Sequence, residues 1–281
     1  MAETLLALIT AHLLGDFVFQ SRYMAECKRQ FFVLLRHVLI VTALTALTLR
    51  NLHHVILIVT FLSHLLFDGI KTRIRSETFA VFLFDQMAHL IVTAVLAGFF
   101  PQASADGWWP GTLPHLLPWL YAAMCLLSGV ILIVPVGGIV IGKLTEPIRD
   151  EAEKIAILST DNFKAVPSAA SGPHLIAGLR NGGRYIGWLE RTLVLLLMLI
   201  GQPSGIGFLI TAKSLLRLGE IRESKDRKLA EYIIIGTFLS FGWALAWSVA
   251  AQNAIEYWRP RQPAAYVPLR VLLEQSAPAQ R

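Results

Sequence analysis

Seven ionisable residues stand inside otherwise apolar stretches of this sequence: His12, Asp16, His37, His64, Asp68, Asp85 and His89. Imidazoles and carboxylates in this mixture are the donor set of zinc, manganese and iron sites. One spacing recurs. His12 with Asp16, His64 with Asp68, and Asp85 with His89 are each four residues apart. On a helix, positions i and i+4 share a face, one turn from each other, so each pair can aim both side chains at one place. Seven ligands exceed the needs of one tetrahedral ion. They suffice for two ions, or for one ion backed by carboxylate–histidine pairs.

A divalent metal held this way, zinc first and manganese or iron next, lowers the pKa of a bound water and polarises a phosphoryl or acyl group. Asp16 or Asp85, whichever is left off the metal, is the expected general base. Lys71 and Arg73 follow closely after Asp68 and are the expected contacts for a phosphate-bearing substrate. Arg75 and Arg36 also lie near the mouth of such a site. Positive charge that merely marks a cytoplasmic loop would read the same way. Gln20 and Gln86 read as polar supports or as interhelical hydrogen bonds. His53, His54, His115 and His174 fall in loops or at the ends of apolar runs and are set aside.

These residues need helices to carry them, and the composition says where the helices sit. Hydrophobic residues make up 55% of the 281, and charged residues only 16%. The mean hydropathy is +0.57. A water-soluble fold of this length cannot hide that much apolar surface, so the bilayer is its solvent. The fold class is all-α: a polytopic transmembrane helix bundle of seven or eight spans. Apolar runs at 4–20, 31–49, 53–68, 80–100, 116–141, 185–201, 206–218 and 233–251 are the candidates. The run at 206–218 is barely long enough, and a re-entrant hairpin is its alternative. Four regions follow: a membrane bundle with the His/Asp cluster over 1–144, a cytoplasmic amphipathic and loop segment over 145–183, a hairpin with a last span over 184–258, and a disordered tail over 259–281.

Charge sets the orientation. Arg22, Lys28, Arg29 and Arg36 lie between the first two runs, and Lys71, Arg73 and Arg75 between the third and fourth. The second loop has Arg50 alone, and the stretch 100–115, with Trp108 and Trp109, has no Lys or Arg. By the positive-inside rule the N-terminus is outside. With that polarity, all seven cluster residues fall within roughly 15 Å of the cytoplasmic boundary, counted by helix rise. A single His–Asp pair reads as a self-satisfied helix contact. Seven such groups at one depth read as a site, because ionisable groups in a bilayer are costly and face one another or a cavity. The net charge of +6 comes without basic runs interleaved with aromatics, so nucleic acid is not an expected partner. Cys27 and Cys125 give no disulfide framework. Glu190 and Lys213 read as a salt bridge across the C-terminal hairpin.

His12, Leu13, Leu14, Gly15 and Asp16 followed by Gln20, then His37, then His64 with Asp68, then Asp85 and Gln86 with His89, resemble in order and spacing a family of bacterial membrane proteins, the domain of unknown function 3307. The stretches 184–191, 212–214 and 231–237 are similar to its longer members. The resemblance implies a bacterial inner membrane and leaves the activity open. The first four runs are also similar in style to membrane-bound metal-dependent hydrolases, which place His and Asp on helices. The resulting expectation is a hydrolase acting on a lipid or lipid-linked phosphate, with membrane lipid as partner and an oligomer compatible with the sequence. A divalent-cation or proton transporter using the same cluster is the alternative, and a scaffold whose cluster only holds helices together is the third.

Overall fold

The computed structural model describes residues 1–74, 78–108, 114–161, 182–223 and 227–259. Residues 162–181 of the expected cytoplasmic segment 145–183, the tail from 260 on, and Arg75, Trp109 and His174 lie outside the described residues. Among the described residues the chain is helical and has no strand. The helices are α1 (Ala2–Phe17), α2 (Arg22–Cys27), α3 (Phe31–Leu49), α4 (His54–Lys71), α5 (Phe79–Phe99), α6 (Leu117–Ile131), α7 (Gly137–Asp161), α8 (Gly182–Leu199), α9 (Ser204–Glu223) and α10 (Arg227–Trp258).

Several helices are inside out relative to a water-soluble bundle. On α4 the buried residues are Ile56, Thr60, His64 and Asp68, one per turn. Its outward face carries Ile58, Leu62 and Leu66, all exposed. On α5, Asp85, His89 and Thr93 face inward while Phe84, Ile91, Val95 and Phe99 face out. Polar groups inside and large apolar groups outside is the arrangement a hydrocarbon solvent demands. Among the described residues, five helical stretches are long and apolar enough to cross a membrane: Phe31–Leu49, His54–Lys71, Phe79–Phe99, Leu117–Glu151 and Glu231–Trp258. The runs that the sequence expects to cross on α1 and α8, and the run on α9 with a re-entrant hairpin as its alternative, are not among these stretches. Helix α1 has 16 residues, about 24 Å at 1.5 Å each. Helix α8 carries Arg184, Glu190 and Arg191, and α9 is interrupted by Lys213, Arg217 and Glu220.

Helix α1 is the centre rather than an edge. It packs against α3, α5 and α6, and α4 closes a ring by packing between α3 and α5. The four helices α1, α3, α4 and α5 therefore enclose a common interior. Gly15 lets α1 approach α3. A Cβ there would lie 2.6 Å from Val41 Cγ2, and Val41 is itself buried. Gly15→Val should push the two helices apart next to Asp16 and cost about 1–3 kcal/mol, read as a lower midpoint in detergent unfolding together with weakened metal binding. A midpoint equal to wild type would remove this account of the α1–α3 contact.

The end of the ring farthest from the cluster is tied by Arg50, which caps α3 in the left-handed conformation at φ 55°. Its Nη2 donates to Ser104 O, Ser104 Oγ and Tyr121 Oη, each at 2.9 Å. The N-terminal ammonium and the Thr4 hydroxyl both donate to Pro101 O. Arg50→Met should lower stability by about 2–4 kcal/mol, the worth of hydrogen bonds to a buried charge. Metal content should be unchanged, because the cluster lies at the other end, and a loss of metal would contradict that separation.

The second half is built around a bent helix. Pro135 sits in a π-helical turn, Leu132–Val136, that joins α6 to α7. The loosened turn is held from outside, as intramembrane backbone must be. Arg191 Nη2 donates to Val134 O at 3.1 Å and Trp243 Nε1 to Leu132 O at 2.9 Å. Helix α10 packs along α6, α7 and α8. Lys213 of α9 donates to Glu190 of α8, the salt bridge expected from the sequence. Helix α7 runs unbroken through the expected boundary at 144.

Candidate metal centre

The interior of the ring brings all seven residues together. His12, His37, His64, Asp68 and His89 are between 0% and 5% exposed, and Asp85 is 9% exposed. The rings of His12, His64 and His89 form a triangle with centroid separations of 5.7, 5.2 and 4.2 Å. Two groups have ligand atoms lying within 4.8 Å of one another: His12 with Asp16 and His64, and Asp68 with Asp85 and His89.

Hydrogen bonds fix which ring nitrogens are free. His64 Nδ1 lies 3.1 Å from the Thr60 carbonyl, one turn back on α4. A carbonyl only accepts, so Nδ1 carries the proton and Nε2 carries the lone pair. His64 Nε2 is buried without a hydrogen-bond partner. His12 follows the same logic with its nitrogens exchanged. Its Nε2 is 3.2 Å from Gln86 Oε1. Gln86 Nε2 donates to Asp85 Oδ2 at 3.1 Å and to Asp16 Oδ2 at 3.5 Å, which orients the amide. His12 therefore donates from Nε2 and offers Nδ1, which is buried, unpartnered and 3.9 Å from Asp16 Oδ2. Both His89 nitrogens are buried without partners, and Nε2 is 3.8 Å from Asp85 Oδ1. A burial this deep normally leaves few such orphans.

These atoms fit a metal. Two lone-pair nitrogens and a carboxylate, each held by a second hydrogen-bonding partner, are the kind of ligand set catalytic zinc and ferrous iron use. Asp68, Asp85 and His89 offer two carboxylates and one imidazole, a harder set that suits zinc or manganese. His37, expected as a ligand, belongs to neither group. Its Nε2 sits 3.4 Å from Asp16 Oδ1 and 3.3 Å from Asp68 Oδ2, between the two groups and completely buried. There it can orient one carboxylate from each.

A polar vestibule of about 360 Å³ adjoins the cluster at the end where Asp16 lies. Of the three cluster carboxylates, Asp16 lines it, together with Gln20, Lys28, Arg29, Lys71, Gln86 and Lys143. Arg73, paired with Lys71 in the sequence reading, is exposed and is not part of that lining. Lys28 is the residue the sequence reading missed. It is 8% exposed, and its Nζ donates to Asp68 Oδ2 at 2.9 Å. Lys71 makes the matching bond to Asp85 Oδ2. Lys28 gets there because α2 folds back against α3, with Met24 buried and the Ser21 side chain accepting from the Met24 amide. On the other side the histidines meet a void of only about 10 Å³, ringed by Thr45, Thr60, Ser63 and Thr93.

Fold and cluster together define a helical membrane-type protein with a buried His–Asp centre of metal-binding composition. Residues 4–108 match the family described as protein of unknown function (DUF3307). The match takes in α1 to α5 and all seven cluster residues, while the resemblant stretches of the second half lie beyond it. No curated protein and no solved structure matches the chain.

Proposed function

We propose that the protein is a membrane-embedded, metal-dependent hydrolase of a lipid phosphate or lipid-linked phosphate, working from the cytoplasmic side of a bacterial inner membrane with its N-terminus outside. The carrying observation is the pair of buried, unpartnered lone-pair nitrogens, His12 Nδ1 and His64 Nε2, beside Asp16 at the floor of a basic vestibule. Zinc is the first choice of metal, with manganese or iron next, and its contribution is to acidify a bound water and to withdraw charge from the phosphoryl group. The chain's own groups do the rest. Asp16, through the carboxylate oxygen that it does not give to the ion, takes the proton of the attacking water. Lys28, Arg29 and Lys71 hold the phosphate oxygens. The water oxygen bonds to phosphorus, the P–O bond to the leaving group breaks, and the proton held on Asp16 passes to the leaving oxygen, an alkoxide from a monoester or a phosphate from a pyrophosphate. A vestibule of about 360 Å³ suits a head-group, being at the small end of ligand sites.

The transport reading needs access from both sides of the cluster. A void of about 10 Å³ on the far side holds about one water molecule at most, which favours chemistry over transit. The test is phosphate release from lipid phosphomonoesters and lipid-linked pyrophosphates by the purified protein, with His64→Ala and Asp85→Ala alongside. Equal turnover in all three proteins would end the catalytic reading, and metal accumulation in liposomes without phosphate release would put transport in its place.

A further inference from the structure

The two metal-type groups differ in what already neutralises them. In one, His12 and His64 present nitrogens without hydrogen bonds. In the other, an ammonium sits on each carboxylate: Lys28 on Asp68 Oδ2 and Lys71 on Asp85 Oδ2. An ion coordinated by Asp68 and Asp85 competes with both ammoniums for these oxygens. At contact distance in a poorly screened interior, like charges repel too strongly to share them. Both lysines also line the vestibule, next to Arg29 and Lys143. The Lys71 side chain is 38% exposed. A four-carbon stem can carry either ammonium from carboxylate to vestibule by rotation alone.

We propose that Lys28 and Lys71 are exchangeable counter-ions of the Asp68–Asp85–His89 position, and that a divalent ion bound there releases both ammoniums into the vestibule to form a receptor for a phosphate group. The inference rests on the metal-centre reading and adds a coupling to it. Ion and phosphate then bind with reciprocal cooperativity, each raising the other's affinity by the same factor. The two groups also fill in order, the His12–Asp16–His64 position first.

Calorimetric titration of the full-length protein in nanodiscs with Mn²⁺, with and without inorganic phosphate, tests this. The wild-type protein should take two ions, the second more weakly, and phosphate should tighten the second by about tenfold, the scale of typical site-to-site coupling. Lys28→Met with Lys71→Met should tighten the second ion by about tenfold without phosphate, the worth of one close charge contact, and should abolish the phosphate effect. Arg29→Gln removes a vestibule cation that sits on neither carboxylate. It should weaken phosphate while leaving the second ion unchanged, which separates displacement from a general loss of positive charge. Lys71→Met alone, at a half-exposed position, should give part of the effect even if loss of buried Lys28 impairs folding. Nanodiscs with and without a lipid phosphomonoester distinguish a head-group from free phosphate as the anion. An unchanged second-ion affinity in both lysine variants, with two ions still bound, overturns the exchange and leaves the metal centre standing. A wild-type protein that takes up no ion overturns both.

Discussion

Purified in mild detergent, the wild-type protein should carry near-stoichiometric divalent metal by elemental analysis, and His64→Ala should lose nearly all of it. His64 is the most constrained ligand in the cluster. The Thr60 carbonyl fixes its tautomer and directs the free Nε2 inward. His89, stacked on its ring at 4.2 Å, falls in the other group with Asp68 and Asp85. Loss of a hydrogen-bonding partner of a ligand costs about 10–100-fold in affinity, so loss of the ligand should exceed about 100-fold. Gln86→Leu is the matching test of the supporting contact. It leaves His12 Nε2 without an acceptor and frees two carboxylates, and its loss should fall inside that 10–100-fold range. Wild-type protein without metal, or equal metal in all three proteins, would favour a cluster that only holds helices together.

Asp16→Asn should reduce turnover on a lipid phosphate by about 10²–10⁴-fold, the usual worth of a positioned general base. The amide keeps an oxygen for the metal and loses the ability to accept a proton from water. Asp85→Asn should cost less. Asp85 was an equal candidate for the base by sequence, but it is bonded to Lys71 and Gln86 and is not among the residues lining the vestibule. The comparison is made at saturating metal, so that weaker loading does not stand in for lost chemistry. A larger loss in Asp85→Asn would move the base to the α5 side of the cluster, and no loss in either would remove both carboxylates from the reaction.

The sequence determined the helical membrane fold and the membership of the cluster. Both follow from one-dimensional signals. Runs of apolar residues near 20 long demand a helix in hydrocarbon, and costly ionisable groups at one depth demand a shared interior. That is why His12, Asp16, His37, His64, Asp68, Asp85 and His89 were all legible before any packing was known. The charge pattern was less informative. Lys28 and Arg73 look alike in sequence, each a cation beyond the end of an apolar run. Only the back-folded α2 put Lys28 on Asp68 and left Arg73 in the open.

The tertiary structure also decided how the cluster is divided. Spacing suggests that each i, i+4 pair works as a unit, and for His12–Asp16 and Asp85–His89 it does. The His64–Asp68 pair is split. His64 joins the α1 residues and Asp68 joins the α5 residues, so the same spacing that keeps two pairs together does not hold the third. His37 is the other residue that packing reassigned: its Nε2 lies within 3.4 Å of a carboxylate from each group. The centrality of α1 was likewise hidden. The apolar run over 4–20 reads as one span like the others, and only its contacts with α3, α5 and α6 show that three helices surround it. Residue type and periodicity fix what a helix must bury. Which partner buries it depends on contacts between residues far apart in the chain, and those are set by packing.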